Sequence, residues 1–309
     1  MTTLLFTHDV CVEHHTGDYH PESPDRLRAV WAALDGNQFD DLDRREAPLA
    51  SWDHIALVHE PAYVDSVMAA IPTDGHRHLD PDTIISPASG DAALRGAGAL
   101  VAAVDAIVGQ QSAGNAFCAV RPPGHHAERA RSMGFCLFNS VAIGALHARA
   151  AHGIQRAAVV DFDVHHGNWT QHMFEADKDL FYASSHQAPF YPGTGAASEV
   201  GVGNIVNAPL AAGAGSKEFR DAFERIILPG LRNFDPDILL ISAGFDAHAD
   251  DPLAQLLLTE DDYRWVTGEL LAAAADCCQG RVVSVLEGGY DLGALARSVD
   301  VHVRELMAV

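Results

Sequence analysis

Residues 157–168 read Ala-Ala-Val-Val-Asp-Phe-Asp-Val-His-His-Gly-Asn. A short apolar run ends abruptly in carboxylates, imidazoles and a glycine. So short and continuous a run fits a strand buried on both faces, the pattern of a parallel sheet. The pattern recurs at 238–248 (Ile-Leu-Leu-Ile-Ser-Ala-Gly-Phe-Asp-Ala-His) and at 282–290 (Val-Val-Ser-Val-Leu-Glu-Gly-Gly-Tyr). A fourth segment, 116–126, runs Ala-Phe-Cys-Ala-Val into Arg-Pro-Pro-Gly-His-His. In open parallel sheets ligands bind outside the carboxyl ends of the strands. The polar groups after these four runs are therefore expected to meet at one end of a sheet.

Outward from this core, residues 3–7 and 180–184 read as further strands. Helical periodicity marks 23–34, 61–70, 91–108, 139–151, 217–231, 260–277 and 292–306. Ser23 and Pro24 supply a cap and a first-turn proline. Alternating strands and helices predict an α/β fold, a single open parallel sheet with helices on both faces. No Pro/Ser-rich linker divides the chain, so residues 1–309 read as one domain.

The 309 residues are 48% hydrophobic, enough for a large core. There are 20 basic and 42 acidic residues, a net charge of −22, and only two lysines, Lys178 and Lys217. That balance argues against a nucleic-acid groove. It suits a solubilising surface, and also a cationic substrate drawn in by a negative field. The five cysteines, Cys11, Cys118, Cys136, Cys277 and Cys278, are odd in number and form no CxxC pair. They read as reduced thiols of a cytoplasmic protein. The first ten residues lack the cationic start of a signal peptide. No uninterrupted apolar stretch reaches the roughly 20 residues of a membrane span. Neither membrane nor nucleic-acid partners are expected, and a homo-oligomer is left open.

Asp163 and His165 lie two apart on extended chain, so their side chains can point the same way. A lone Asp-x-His more often satisfies loop hydrogen bonds than holds a metal. Asp246 at a neighbouring strand end changes that balance. Two carboxylates and one imidazole, with a position left for water, suit a catalytic zinc, and iron(II) takes the same donor set. Adjacent histidines on a loop are often incidental. Beside a metal, His125 and His126 become candidate proton carriers, with Asp161 and Asn168 as candidate partners that fix their tautomers. Tyr290 follows two glycines that permit a tight turn. Its phenol either caps the core or stabilises an oxyanion opposite the metal.

The segments RPPGHHA, GFCLFNSVAIG, DFDVHHGNWTQ, YPGTG, SAGFDAHADDPL and LEGGY occur in this order. Together they resemble the histone deacetylase superfamily, from HPESPDRL near the start to EGGYDL near the end. The NWTQ and EGGY variants are similar to the class II and bacterial branch, which includes acetylpolyamine amidohydrolases. The resemblance implies an arginase–deacetylase fold with about eight parallel strands. It implies zinc on Asp163, His165 and Asp246, with His126 as main general base and acid and His125 held by Asp161. Tyr290 would be the oxyanion donor. A structural potassium ion would fall at Asp161, Asp163, His165, Ser184 and nearby backbone carbonyls, including that of Ser185. Gly134, Phe135 and Phe190 would line a narrow acyl-lysine tunnel, with Leu253 at its rim and Asp82 gripping substrate backbone.

Asn168 stands where class I members carry Asp, and Trp169 where the family usually has Gly, with no role assigned to it. Leu253 is apolar where a polyamine-selective branch carries an acid. The function implied is hydrolysis of an acyl-lysine-type amide. Alternatives are an acetylpolyamine or small-amide amidohydrolase, a two-metal ureohydrolase like the arginases, and a non-catalytic binding module. The ureohydrolase needs a closing carboxylate that 161–167 lacks. The binding module predicts degenerate ligands, which do not appear.

Overall fold

The computed structural model describes residues 2–111 and 114–309. Ten strands follow in chain order: β1 (Thr3–Thr7), β2 (Asp43–Glu46), β3 (Arg77–His78), β4 (Ile84–Ile85), β5 (Asn115–Cys118), β6 (Ala157–Asp161), β7 (Leu180–Gln187), β8 (Ile205–Leu210), β9 (Ile238–Ala243) and β10 (Val282–Leu286). Eight of them form one sheet in the order β2-β1-β5-β10-β9-β6-β7-β8. Every pairing in that sheet is parallel. Strands β3 and β4 make a small antiparallel hairpin apart from it.

The four segments singled out by sequence are β5, β10, β9 and β6, and they are four consecutive strands at the centre of the sheet. All of β5, β6, β9 and β10 is buried. Strands β2 and β8, at the two edges, were not expected from the sequence. β2 reads Asp-Arg-Arg-Glu, with alternately half-buried and exposed positions. β8 contains Pro209, which cannot donate to a ladder and is tolerated at an edge. Charge and proline are also what protects an open edge from further pairing.

The helices flank the sheet in two groups. Ser89–Val104 packs on β1, β5 and β10 and against Ser140–His152, which covers β6 and β9. Pro24–Ala33, Leu292–Met307 and Glu260–Cys278 pack on one another. Among the described residues one helical stretch, Ser89–Gly109, is apolar and long enough to cross a membrane, with mean hydropathy 1.6. Its contacts with three strands make it a core helix here. The helix expected over 217–231 is three pieces: Ser216–Ala222, a wide turn at Phe223–Ile227, and Leu228–Phe234. Pro229 has no N–H to give back to the preceding turn, and a π turn absorbs the loss. His302 shows how a buried histidine is satisfied without function. Its two ring nitrogens meet Thr267 Oγ1 at 2.7 Å and Ser284 Oγ at 2.8 Å, and burial lowers its pKa to about 3.

A buried ionic network ties the start of the chain to the active end of the sheet. Arg121, just beyond β5, grips Glu22 with Nε at 2.5 Å and Nη2 at 2.7 Å. Arg26 reaches the same carboxylate at 3.0 Å. Its other nitrogens donate to the carbonyls of Gly289 and Glu287. All three side chains are fully buried. Burial works against charge on Glu22, yet Arg121, His14 and Arg26 hold its carboxyl well below the usual range. One carboxylate thus anchors the turn that carries Tyr290.

Two consequences are measurable. Removing one partner of a buried ion pair costs about 3–5 kcal/mol because the remaining charge is stranded. Glu22→Gln is therefore expected to lose about that much stability in urea unfolding, and a loss under 1 kcal/mol would contradict the anchoring role. At Gly98 an added Cβ would lie 1.9 Å from the Pro48 carbonyl oxygen, with Ala50 backbone also within 3 Å. Gly98→Ala is expected to cost about 3 kcal/mol by overpacking against fixed backbone. Gly90→Ala meets the flexible end of the Met68 side chain and, at 3.3 Å, Ile71 Cγ1, and is expected to stay within about 1 kcal/mol.

Candidate active site

The loops after β6, β9 and β10 bring two carboxylates and an imidazole together. His165 Nδ1 lies 3.1 Å from Asp163 Oδ1 and 3.1 Å from Asp246 Oδ2. One ligand atom from each of Asp163, His165 and Asp246 falls within 4.8 Å of the others. Backbone donors fix the two acids: Gly288 N–H reaches Asp163 Oδ2 at 2.8 Å, and Val164 N–H reaches Asp246 Oδ1 at 2.9 Å. Close approach is possible because residue 288 has no side chain. A Cβ there would sit 2.0 Å from Asp246 Oδ2 and 2.6 Å from Asp163 Oδ2.

Two buried carboxylates this close demand a positive charge. Burial and the neighbouring Asp163 raise Asp246 to about 7, against the pull of His165. Burial also opposes charge on Asp163, but His125 and His165 hold it well below the usual range. For His165, burial would lower the pKa, and the hydrogen bonds to both acids override it and raise it to about 10. A site that so favours a cation, built of one nitrogen and two oxygen donors, fits a divalent metal of the zinc class.

The histidine pair lies beside these ligands, with ring centroids 4.0 Å apart. His125 Nδ1 is 2.9 Å from Asp161 Oδ2, and Asp161 also accepts from Tyr182 Oη at 3.1 Å. His126 Nδ1 is 2.8 Å from Asn168 Oδ1. An amide oxygen only accepts, so this contact puts the proton on Nδ1 and leaves Nε2 as the basic nitrogen. The two rings are pushed in opposite directions. Burial disfavours charge on His125, but Asp161, Asp163 and Glu287 lift it to about 10. Burial, then the charges of His125 and His165, hold His126 well below the ordinary histidine value.

His125, His126 and His165 line a narrow cavity of about 100 Å³, with Gly134, Phe135, Tyr191 and Tyr290 as walls and Asp82 and Leu253 among its lining. Phe135 meets Tyr290 edge-on at 5.8 Å. Gly134 has φ +56, and a Cβ there would come 2.4 Å from His126 Cδ2. Arg26 lies 4.8 Å from the Tyr290 ring centroid. Phe190, expected at the wall, does not line the cavity. Its ring stacks on His165 at 5.3 Å, and the next residue, Tyr191, takes the wall position and meets His126 edge-on at 5.3 Å. Backbone direction through a loop decides which of two adjacent aromatics points inward, and adjacency alone does not.

Ser184 is paired with Asp161 in register across β6 and β7. Its hydroxyl lies 2.9 Å from His186 Nδ1, while the buried Ser185 hydroxyl has no partner among the described residues. Trp169 is half-buried beside an outer cleft with Glu128, Glu175 and Glu199.

The sequence alone assigns Glu287 no role. It is buried, and its Oε2 accepts from Gly124 N–H at 2.7 Å and His125 N–H at 3.2 Å. It fixes the loop that presents the histidine pair. Burial raises it to about 7, although His125 and these N–H groups pull it down. Its signal was the acid between an apolar strand and a glycine pair, where a strand end faces the other loops.

A histone deacetylase domain matches residues 20–306. The chain is 38% identical over 312 residues to a probable deacetylase of Methanothermobacter thermautotrophicus, covering 98% of this chain and 90% of the relative. It is 36% identical to a histone deacetylase-like amidohydrolase of Pseudomonas aeruginosa, covering 93% and 81%. The crystal structure of the HDA15 HD domain superposes with a TM-score of 0.94 at 36% identity, over all of this chain and 89% of that one. The chain belongs to the histone deacetylase family and has its arginase–deacetylase fold.

Proposed function

We propose that this chain, as a single domain, is a zinc-dependent amidohydrolase that removes an acetyl or similar acyl group from a linear amine of the acyl-lysine type. The observation that carries this reading is the meeting of Asp163, His165 and Asp246 with a split-pKa histidine pair at the walls of one narrow cavity.

Asp163, His165 and Asp246 would hold the metal, which supplies Lewis acidity toward the amide carbonyl and acidifies water. His126 is the neutral ring of the pair, with Nε2 unprotonated, and takes the proton of the attacking water. The Tyr290 hydroxyl donates to the oxyanion that forms at the carbonyl carbon. The leaving nitrogen is protonated from the histidine pair, where His125, held cationic by Asp161, keeps a positive charge beside the reacting atoms. Phe135 and Tyr191 exclude water and admit only a slender chain, with Leu253 at the rim. Asp82 is placed to accept from a substrate N–H. The acidic chain draws cationic substrates, and the free thiols suit a reducing compartment. A potassium ion would fall at Asp161, Asp163, His165 and Ser184 with nearby backbone carbonyls that include that of Ser185, where β6 and β7 pair and Asp161, Asp163, Ser184 and Ser185 are buried.

Metal content and turnover test this together, on a fluorogenic acetyl-lysine peptide and on acetylated putrescine, with and without chelator. Chelator-sensitive turnover is expected, faster on the peptide. Faster turnover of the diamine would assign the polyamine alternative, and chelator-resistant turnover would overturn the zinc mechanism. Tyr290→Phe is expected to lower kcat about 10²–10³-fold, the usual cost of one oxyanion donor, and near-normal kcat would remove that role. Asp246→Ala is expected to lose metal and activity in parallel. Full metal occupancy of the catalytic site in that variant would take Asp246 out of the ligand set.

A further inference from the structure

A second group of side chains able to hold a metal, Asp105, His147 and His152, meets at two helix ends. Asp105 follows Ser89–Val104 in a wide turn, Asp105–Gly109. His147 and His152 belong to Ser140–His152, and His152 is its last residue. Both imidazoles present Nε2 to the same oxygen, Asp105 Oδ1, each at 2.7 Å. All three ligand atoms lie within 4.8 Å of one another. His147 is 8% exposed, His152 18% and Asp105 40%, so the group is held firmly yet open to solvent. A fourth imidazole, His54, meets the His147 ring edge-on at 5.0 Å. The His54 Nδ1 accepts the Ser51 N–H, which leaves Nε2 as its other ring nitrogen. Gly109 makes room, since a Cβ there would lie 2.5 Å from His152 Cε1.

We propose that Asp105, His147 and His152, with water in the fourth position, bind a divalent transition-metal ion of the zinc class. Two imidazoles, one carboxylate and an open position make a standard four-coordinate zinc shell, with bonds of roughly 2.0–2.2 Å. Zinc would enter among the three ligand atoms and displace the Nε2 protons, each ring then carrying its proton on Nδ1. Electrostatics favour the ion. Asp105 sits at the negative end of its helix, where a carboxylate is unfavourable and a cation is stabilising, and His152 lies at the negative end of a second helix. The metal would join the ends of two core helices, a stabilising role separate from the catalytic site.

The test counts zinc in tag-free full-length protein after equilibration with zinc and removal of loose ion. Asp246→Asn weakens the catalytic site, so zinc in that variant reports on the second one whatever the enzyme acts on. In the Asp246→Asn background about one zinc per chain is expected, falling to none on adding His147→Ala and His152→Ala. Zinc is also expected to raise the Tm of Asp246→Asn by about 4 °C at a hundredfold excess over Kd. That rise should vanish with Asp105→Asn, a near-isosteric change at a half-exposed position that is expected to fold. No zinc and no Tm rise in Asp246→Asn would overturn the proposal. So would a zinc count or a Tm rise that the changes at Asp105, His147 and His152 leave undiminished.

Discussion

Two carboxylates, Asp163 and Asp246, are buried within reach of one imidazole, and keeping both as anions there is costly unless a neighbouring cation or a bound proton offsets the charge. Most of the active end of the sheet answers that constraint. Backbone N–H groups from two other loops hold the carboxylate oxygens. Residue 288 is glycine because both acids occupy the space its side chain would need. The turn that carries it is fastened by Arg26, and Arg26 by Glu22. Charge neutralisation at the centre therefore propagates outward as a series of buried pairs, each satisfied by the next.

The same field separates the two histidines. They are adjacent in sequence and equally buried, yet one faces Asp161 and the other the amide of Asn168. A carboxylate partner favours the imidazolium; an amide partner fixes a tautomer without adding charge. Each ring also raises the cost of protonating the other, so one proton is shared unequally. Asp161 thus favours the charged form of His125, while burial beside the charges of His125 and His165 disfavours it on His126, with no difference in side-chain chemistry.

What could be read in advance follows from this. The central strands were legible because a strand buried on both faces must be apolar throughout, and its end must turn polar where it meets ligand. β2 and β8 were not, because an edge strand is under the opposite pressure and is written in charge and proline. Asp163, His165 and Asp246 were legible as donors of the right kind at neighbouring strand ends. Tyr191 in place of Phe190 was not, since either ring serves and only the loop path selects one. Nor was the Glu22–Arg121–Arg26 network, whose members are 99 residues apart for one pair and whose value lies in pairing.

The two ends of the sheet also differ in what they offer a cation. In a parallel α/β fold each crossover helix starts near the carboxyl ends of the strands and finishes near their amino ends. The catalytic end is thus lined by helix N-termini, whose partial positive charge opposes a metal ion. Holding a metal there takes two carboxylates in a low-dielectric site, and those same requirements lift Asp246 and split the histidine pair. At the opposite end helix C-termini converge and favour a cation before any side chain is counted. A single carboxylate, Asp105, and two imidazoles at a half-exposed position then suffice. On the proposed readings the stronger demand for charge goes with the reactive site, and the weaker one would leave a site that joins two helix ends.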